Sequence, residues 1–186
     1  MMKSCVLVGN GEFKHKYGNI IDSYDNVYRF NRFITNKYEE FVGTKCTHWV
    51  INQALIRDRD LFRKNIDEYM QLYPSLKKVL VLTSSTSIVD TLNNLKLNYE
   101  IFDYRILNFK ILEIYKPSTG ILTINFLLKK YDKIDLVGFD FGKTNHYWTQ
   151  KNPSRADIPG GHKWDYEKKY VYDLIEIGKV NIINKK

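Results

Sequence analysis

The strongest constraint on this chain is a set of short apolar runs that lack polar alternation. "CVLVG" (5–9), "NVYRF" (26–30), "THWVI" (47–51), "KVLVLT" (78–83) and "KIDLVGF" (133–139) are mostly β-branched or Leu-rich, with Gly, Asn or Asp at their borders. A strand that is apolar on both faces belongs in a sheet covered on both sides. Helical patterns lie between and beyond these runs. Residues 60–72 carry Leu61, Phe62, Ile66, Tyr69 and Met70 at helical spacing. Residues 119–131 carry Ile121, Leu122, Ile124, Leu127 and Leu128 on one broad face, and 165–177 carry Tyr166, Tyr170, Leu174 and Ile177. A shorter candidate covers 87–95, and "VNII" (180–183) reads as a last strand. This alternation predicts an α/β fold, a Rossmann-like, mostly parallel sheet sandwiched by helices.

At 186 residues the chain suits a single domain, 1–186, with 44% hydrophobic residues to build a core. It shows no repeats, low-complexity tracts or linkers. The longest irregular stretch, 141–161, is expected to be a mobile active-site loop. No apolar run approaches the roughly 20 residues of a membrane span. The first run ends in Gly-Asn-Gly, a turn signal, so it reads as a strand and not as a signal peptide. Cys5 and Cys46 fit buried thiols of a cytoplasmic protein, although a disulfide between them is possible. A net charge of +8 favours anionic ligands: nucleotides, nucleic acid or anionic glycans. The lysines are scattered, with no Arg-rich stripe of the kind that tracks a phosphate backbone.

In a doubly wound fold, ligands gather at the carboxyl ends of the strands. Three suspect segments fall there. In "VGNGEF", Gly9 and Gly11 permit a tight turn and Asn10 offers a carboxamide with both donor and acceptor; taken alone, a plain strand-ending turn is the better account of it. In "KPSTGIL", Ser118 can cap a helix whose free amides at Thr119, Gly120 and Ile121 suit a phosphate, with Lys116 beside them. An ordinary Ser cap is the bland alternative. The third segment holds His146, Tyr147 and Trp148, followed by "GGHKWDYE" with His162. Imidazole titrates near neutrality, so it can take a proton from a hydroxyl. Neither histidine has a partner cluster at metal-ligand spacing. The triplet Asp58 to Asp60 could hold a divalent metal, but it opens a predicted helix, where acids favour the dipole.

Together these segments resemble glycosyltransferase family 29, the sialyltransferases. "CVLVGNGEF…GNIIDSYDNVYRFN" and "GTKCTHWVIN" are similar to the family's large motif, and "PSTGILTINFLLKKYDKIDLVGF" to its small motif. "HYW" resembles the third motif, and "HKWDYE", His followed by Glu five positions on, the very small motif. The resemblance implies a variant of the GT-A fold and an inverting, metal-independent transfer of an acidic sugar from a CMP donor, with no cofactor. It implies that Asn10 and Asn31 hold the nucleoside or phosphate, that Ser118, Thr119 and Gly120 sit at the nucleotide, and that Gly138 lines the cytidine pocket. His146 would face the phosphate and His162 would be the general base. Tyr104, in "YRILNFK", looks like a family tyrosine near the phosphate, and Glu167 is expected to be structural or to orient the loop.

The chain departs from the animal members in several ways. It shows no membrane anchor, Tyr131 stands where the second cysteine of their disulfide belongs, and Lys116 replaces the aromatic before Pro-Ser-Thr-Gly. It is also shorter than the usual catalytic domain. The expectation is a cytoplasmic enzyme taking sialic acid, Kdo or a similar sugar to a glycan, a lipopolysaccharide core or, less expected, a nucleic-acid acceptor. Two rivals remain: a non-catalytic nucleotide-binding module and a basic nucleic-acid-binding protein.

Overall fold

The computed structural model describes residues 4–52, 55, 59–83, 89–94, 98–107, 117–149 and 162–183. The chain runs β1 (Cys5–Val8), α1 (Gly18–Asp22), β2 (Asn26–Phe30), α2 (Glu39–Val42), β3 (His48–Asn52), α3 (Arg59–Leu72) and β4 (Lys78–Thr83). It continues through α4 (Val89–Asn94), β5 (Tyr99–Asp103), α5 (Thr119–Leu127), β6 (Ile134–Val137), α6 (Trp164–Glu176) and β7 (Val180–Ile182). Seven strands form one sheet in the order β5-β4-β3-β2-β1-β6-β7, and every pairing is parallel. The chain therefore winds outward from β1 to β5, then returns to lay β6 against the free side of β1. The strand order reverses between β1 and β6, where a crevice opens beyond the carboxyl ends.

The alternation of side chains explains why the runs are apolar throughout. Cys5, Leu7, Tyr28, Phe30, Val50, Leu80 and Leu82 share one buried cluster with α5 and α6. Their neighbours Val6, Val8 and Val27, and Trp49, Ile51, Val79 and Val81, fall in two clusters on the other face. Successive residues point to opposite faces, so both sets are lost from water. Helix α5 is apolar nearly all round, with Ile121, Leu122, Thr123, Ile124, Phe126 and Leu127 buried. It is consequently an interior element, and its amino end is anchored rather than adrift.

Several boundaries differ from the sequence-based reading. Strand β5 falls in a stretch with no apolar run, because at the sheet's edge only Phe102 is buried. Helices α1 and α2 are five and four residues long, too short to show periodicity. They are held by Asp22, whose carboxylate accepts from the Thr44 and Lys45 amides and the Thr44 hydroxyl. Strand β6 stops at Val137 because Gly138 takes a positive φ of 70°. Both cysteines are buried free thiols.

A second constraint is buried inside the sheet. The Arg29 side chain is 1% exposed, and its guanidinium donates to the carbonyls of Lys45 and Val42. Those carbonyls lie at and just beyond the end of α2, where backbone oxygens lack helical partners and favour a cation. On the opposite face His48 stacks on Tyr28 at 4.2 Å between centroids, and the Tyr28 hydroxyl meets that of Tyr131 at 3.3 Å.

Burial, then the charges of Lys78, Lys77 and Lys130, push the His48 imidazole down to about 4. The unfolded chain, with its histidine near 6.5, therefore binds more protons than the folded one between those values. Stability is full above pH 6.5 and declines as the pH falls towards 4. With a discount for the solvent-reached part of the ring, the loss is about 2 kcal/mol. Denaturant titrations at pH 7 and pH 4.5 should show a smaller pH-dependent fall for His48→Phe than for the unaltered chain; equal falls would refute the assignment.

Candidate active site

The crevice at the strand reversal is a cavity of about 430 Å³. Its floor comes from the exits of β1 and β6. The Gly9 amide donates to Val137 O at 2.8 Å and the Gly11 amide to Gly138 O at 3.0 Å. A Cβ on Gly9 would lie 2.3 Å from Gly138 O, so the two turns can meet only backbone to backbone. Asn10 stands between them. Both of its N–H groups are used, on Phe30 O and Arg32 O at 3.3 Å each, which leaves its carbonyl oxygen as an acceptor facing the cavity.

The next wall comes from β2, β3 and the start of α5. Asn31 holds a left-handed backbone, φ 45°, fixed by its amide on Val50 O (2.7 Å) and by the Trp49 indole donating to its carbonyl (2.6 Å). Asn tolerates this conformation better than most residues. Its side chain accepts from the Asn52 amide at 3.1 Å and donates to Thr119 Oγ1 at 3.3 Å.

Ser118 caps α5, accepting from the Ile121 amide at 3.3 Å. Its own amide and hydroxyl donate to Glu167 Oε1 and Oε2 at 2.7 and 2.6 Å. Ser118 has therefore no proton left for a ligand and can only accept. Among the described residues, the amides of the first turn without an acceptor are those of Thr119 and Gly120, and they are the ones suited to an anion. Glu167 is 1% exposed, and burial holds its carboxyl above the usual carboxylate range against the opposing pull of the Ser118 bonds and His162.

Glu167 lies in the first turn of α6, the helix that carries the remaining wall. Its first residue, Trp164, packs on Gly142, where φ is 76° and a Cβ would fall 2.5 Å from the indole. The turn bearing Gly142 is closed by Asp140, which accepts from the Gly142 and Thr144 amides at 3.0 Å and from the Thr144 hydroxyl. The His162 ring lies edge-on to Trp164 at 4.9 Å, with Nδ1 3.9 Å from Glu167 Oε1. The His146 ring stacks on Trp148 at 4.7 Å. Both imidazoles line the cavity, each supported by an indole.

Of the residues singled out in the sequence, Asn10, Asn31, Ser118, Thr119, Gly120, Gly138, His146 and His162 all line this cavity. Tyr104 is not among the residues that line it. It follows β5 at the sheet's edge and packs against the core cluster beneath α5, with β4 and β3 between its strand and β2. Lys116 and residues 150–161 lie outside the described residues, so only 141–149 of the predicted loop are seen. Asp58 also lies outside them, and α3 begins at Arg59. Among the described residues, no three His, Cys, Asp or Glu side chains group as a metal ion would require. Sequence reasoning missed Asn52 and Trp164. Asn52 closes a strand at the carboxyl end of the sheet, a position that the fold rule itself points to.

The sequence matches the profile of Glycosyltransferase family 29 (sialyltransferase) over residues 1–179. It is 30% identical over 203 residues to a mouse CMP-N-acetylneuraminate-beta-galactosamide-alpha-2,3-sialyltransferase 1, covering 97% of this chain and 58% of that protein. It is 30% identical over 150 residues to Sialyltransferase-like protein 2 of Arabidopsis thaliana, covering 78% of this chain and 32% of that one. The chain thus spans less than two thirds of the length of either relative. In structure it is similar to a mammalian sialyltransferase in complex with Gal-beta-1-3GalNAc-ortho-nitrophenol. The TM-score is 0.71 at 23% identity, over all of this chain and 70% of that one. It is also similar to the sialyltransferase CstII of Campylobacter jejuni in complex with a substrate analogue, CMP-3FNeuAc. There the TM-score is 0.65 at 21% identity, over 97% and 80% of the two chains.

The Ser118–Glu167 contact makes a measurable prediction. Glu167→Ala removes the acceptor of two buried donors and should cost about 1–3 kcal/mol in unfolding free energy. Ser118→Ala in that background should cost about 1 kcal/mol less than it does alone, because the two side chains act as one unit. Urea titration of the four proteins of this cycle checks it, and simple additivity would contradict it.

Proposed function

Because the chain belongs to glycosyltransferase family 29, we propose that it moves an acidic sugar, such as sialic acid or Kdo, from a CMP donor to a hydroxyl of a glycan acceptor. The reading adds inversion at the anomeric carbon and independence from metal. The observation that carries it is the meeting of two imidazoles and the open amides of α5 in one cavity at the strand reversal.

In this reading the CMP phosphate rests at the Thr119 and Gly120 amides, where aligned backbone dipoles favour negative charge. The sugar's bond to the phosphate oxygen breaks, and the electron pair leaves with CMP. His146, in its protonated form, meets the charge that develops on that phosphate. His162 takes the proton of the acceptor hydroxyl, whose oxygen attacks the anomeric carbon from the side opposite the departing phosphate; attack from that side inverts the centre. Glu167 holds the first turn of α6 against Ser118, keeping the acceptor-side base in fixed relation to the donor-side helix. The amides, together with the imidazolium, can neutralise the phosphate without a divalent ion. The same reading makes this a cytoplasmic enzyme, since Cys5 and Cys46 are buried thiols and the fold rests on no disulfide between them.

Calorimetry with CMP against UDP and GDP tests the donor. CMP should bind and the other two should bind at least tenfold more weakly; a preference for UDP, or a requirement for manganese, would sink the reading. His162→Ala should retain CMP affinity within about twofold and lose about 10² to 10⁴ in turnover with a CMP-activated sugar. An unaltered turnover in that variant would remove His162 from the chemistry.

A further inference from the structure

The hydrogen-bond directions around Thr119 can be assigned without ambiguity, and they give a role to a side chain that the family resemblance leaves without one. Asn52 Oδ1 accepts from the Leu55 amide at 3.3 Å, so its NH2 group must be the part that faces Thr119 Oγ1, at 3.2 Å. Asn31 Oδ1 accepts from the Asn52 amide at 3.1 Å, so its NH2 group also faces Thr119 Oγ1, at 3.3 Å. Backbone N–H groups cannot accept, and this fixes which end of each carboxamide points where. Thr119 Oγ1 therefore receives two donors and both of its lone pairs are filled. Its single proton can only be given away, and among the described residues nothing accepts it. Thr119 lines the cavity.

We infer that Asn52 is a positioning residue: with Asn31 it commits the Thr119 hydroxyl to donating into the cavity and so makes that wall select the phosphate of the nucleotide. The inference rests on the CMP-donor reading above. A hydroxyl with a free rotor can donate or accept as its partner requires. A hydroxyl with both lone pairs filled can only donate, and it pairs best with a group that only accepts. A phosphate offers such oxygens, and charged acceptors make the stronger bonds. The adjoining Gly120 amide has the same polarity, so the hydroxyl and the helix end act together. Asn52 touches no reacting atom in this scheme; it works through Thr119.

The test compares CMP with cytidine, which lacks the phosphate, by calorimetry. The proteins are the unaltered chain, Asn52→Leu, Thr119→Val, Thr119→Ser and the combination of each threonine variant with Asn52→Leu. Asn52→Leu should weaken CMP by about threefold to tenfold and leave cytidine within about twofold. Thr119→Val should weaken CMP by about tenfold, and adding Asn52→Leu to it should change the CMP-to-cytidine ratio by less than about twofold. Thr119→Ser keeps the hydroxyl and should restore the sensitivity to Asn52→Leu. A misfolded variant would lose both ligands together, so an equal loss of CMP and cytidine, or an Asn52 effect that persists without the Thr119 hydroxyl, overturns the inference. An unaltered chain that binds neither ligand overturns the donor reading and this inference with it. One that prefers CMP yet shows no coupling between Asn52 and Thr119 overturns this inference alone.

Discussion

The carboxylate of Glu167 on the amide and hydroxyl of Ser118 is the contact on which the site depends. Two helices far apart in sequence begin at the same place, and each would otherwise present unpaired backbone donors there. Glu167 satisfies one of them and takes the hydroxyl proton of the cap. Because the carboxylate is buried, both of its oxygens need donors, and losing either partner would leave a desolvated group. The geometry is therefore held from both sides. Trp164 on Gly142 closes the same arrangement at the β6 exit, so that α6 is fixed to α5 and to the sheet within three residues of its own start.

The sheet supplies what that contact needs. An all-parallel order that reverses between β1 and β6 leaves a gap at the carboxyl edge, which helices cannot fill because each crossover leaves from its own strand end. The approach of Gly9 to Gly138 narrows the floor of the gap to backbone. The interior helix α5 then aims its amino end into it. A helix so thoroughly buried cannot be displaced without exposing Ile121, Ile124 and Leu127, which makes the position of its open amides a consequence of core packing rather than of loop preference.

This division explains what was legible in the sequence. Strands β1, β2, β3, β4 and β6 could be read because burial on both faces writes itself as a continuous apolar run. Strand β5, with one buried residue, writes no such run, and α1 and α2 are stabilised by Asp22 reaching more than twenty residues away, which no local pattern records. In the site, Ser118 was readable as a cap, and His146 and His162 as imidazoles in polar surroundings. Asn52 was not, because its meaning arises from partners at Asn31 and Thr119, 21 and 67 residues distant. Tyr104 shows how an edge position is hidden from the sequence. A likeness in sequence suggested a place at the phosphate, whereas its position after an edge strand takes it to the core under α5.

Proton ownership then divides the cavity wall in two. Two groups can only accept: Ser118, whose amide and hydroxyl both donate to Glu167, and Asn10, which turns its carbonyl oxygen inward with its N–H groups engaged on Phe30 and Arg32. One residue along α5 the groups can only donate: the Thr119 hydroxyl, with both lone pairs filled, and the first-turn amides. The oxygens of an anion therefore find donors at Thr119 and the first-turn amides, and none at Ser118 Oγ or the Asn10 carbonyl. Two sets of bonds assign these protons: Ser118 to Glu167 between α5 and α6, and Thr119 to Asn31 and Asn52 between α5 and the strand ends.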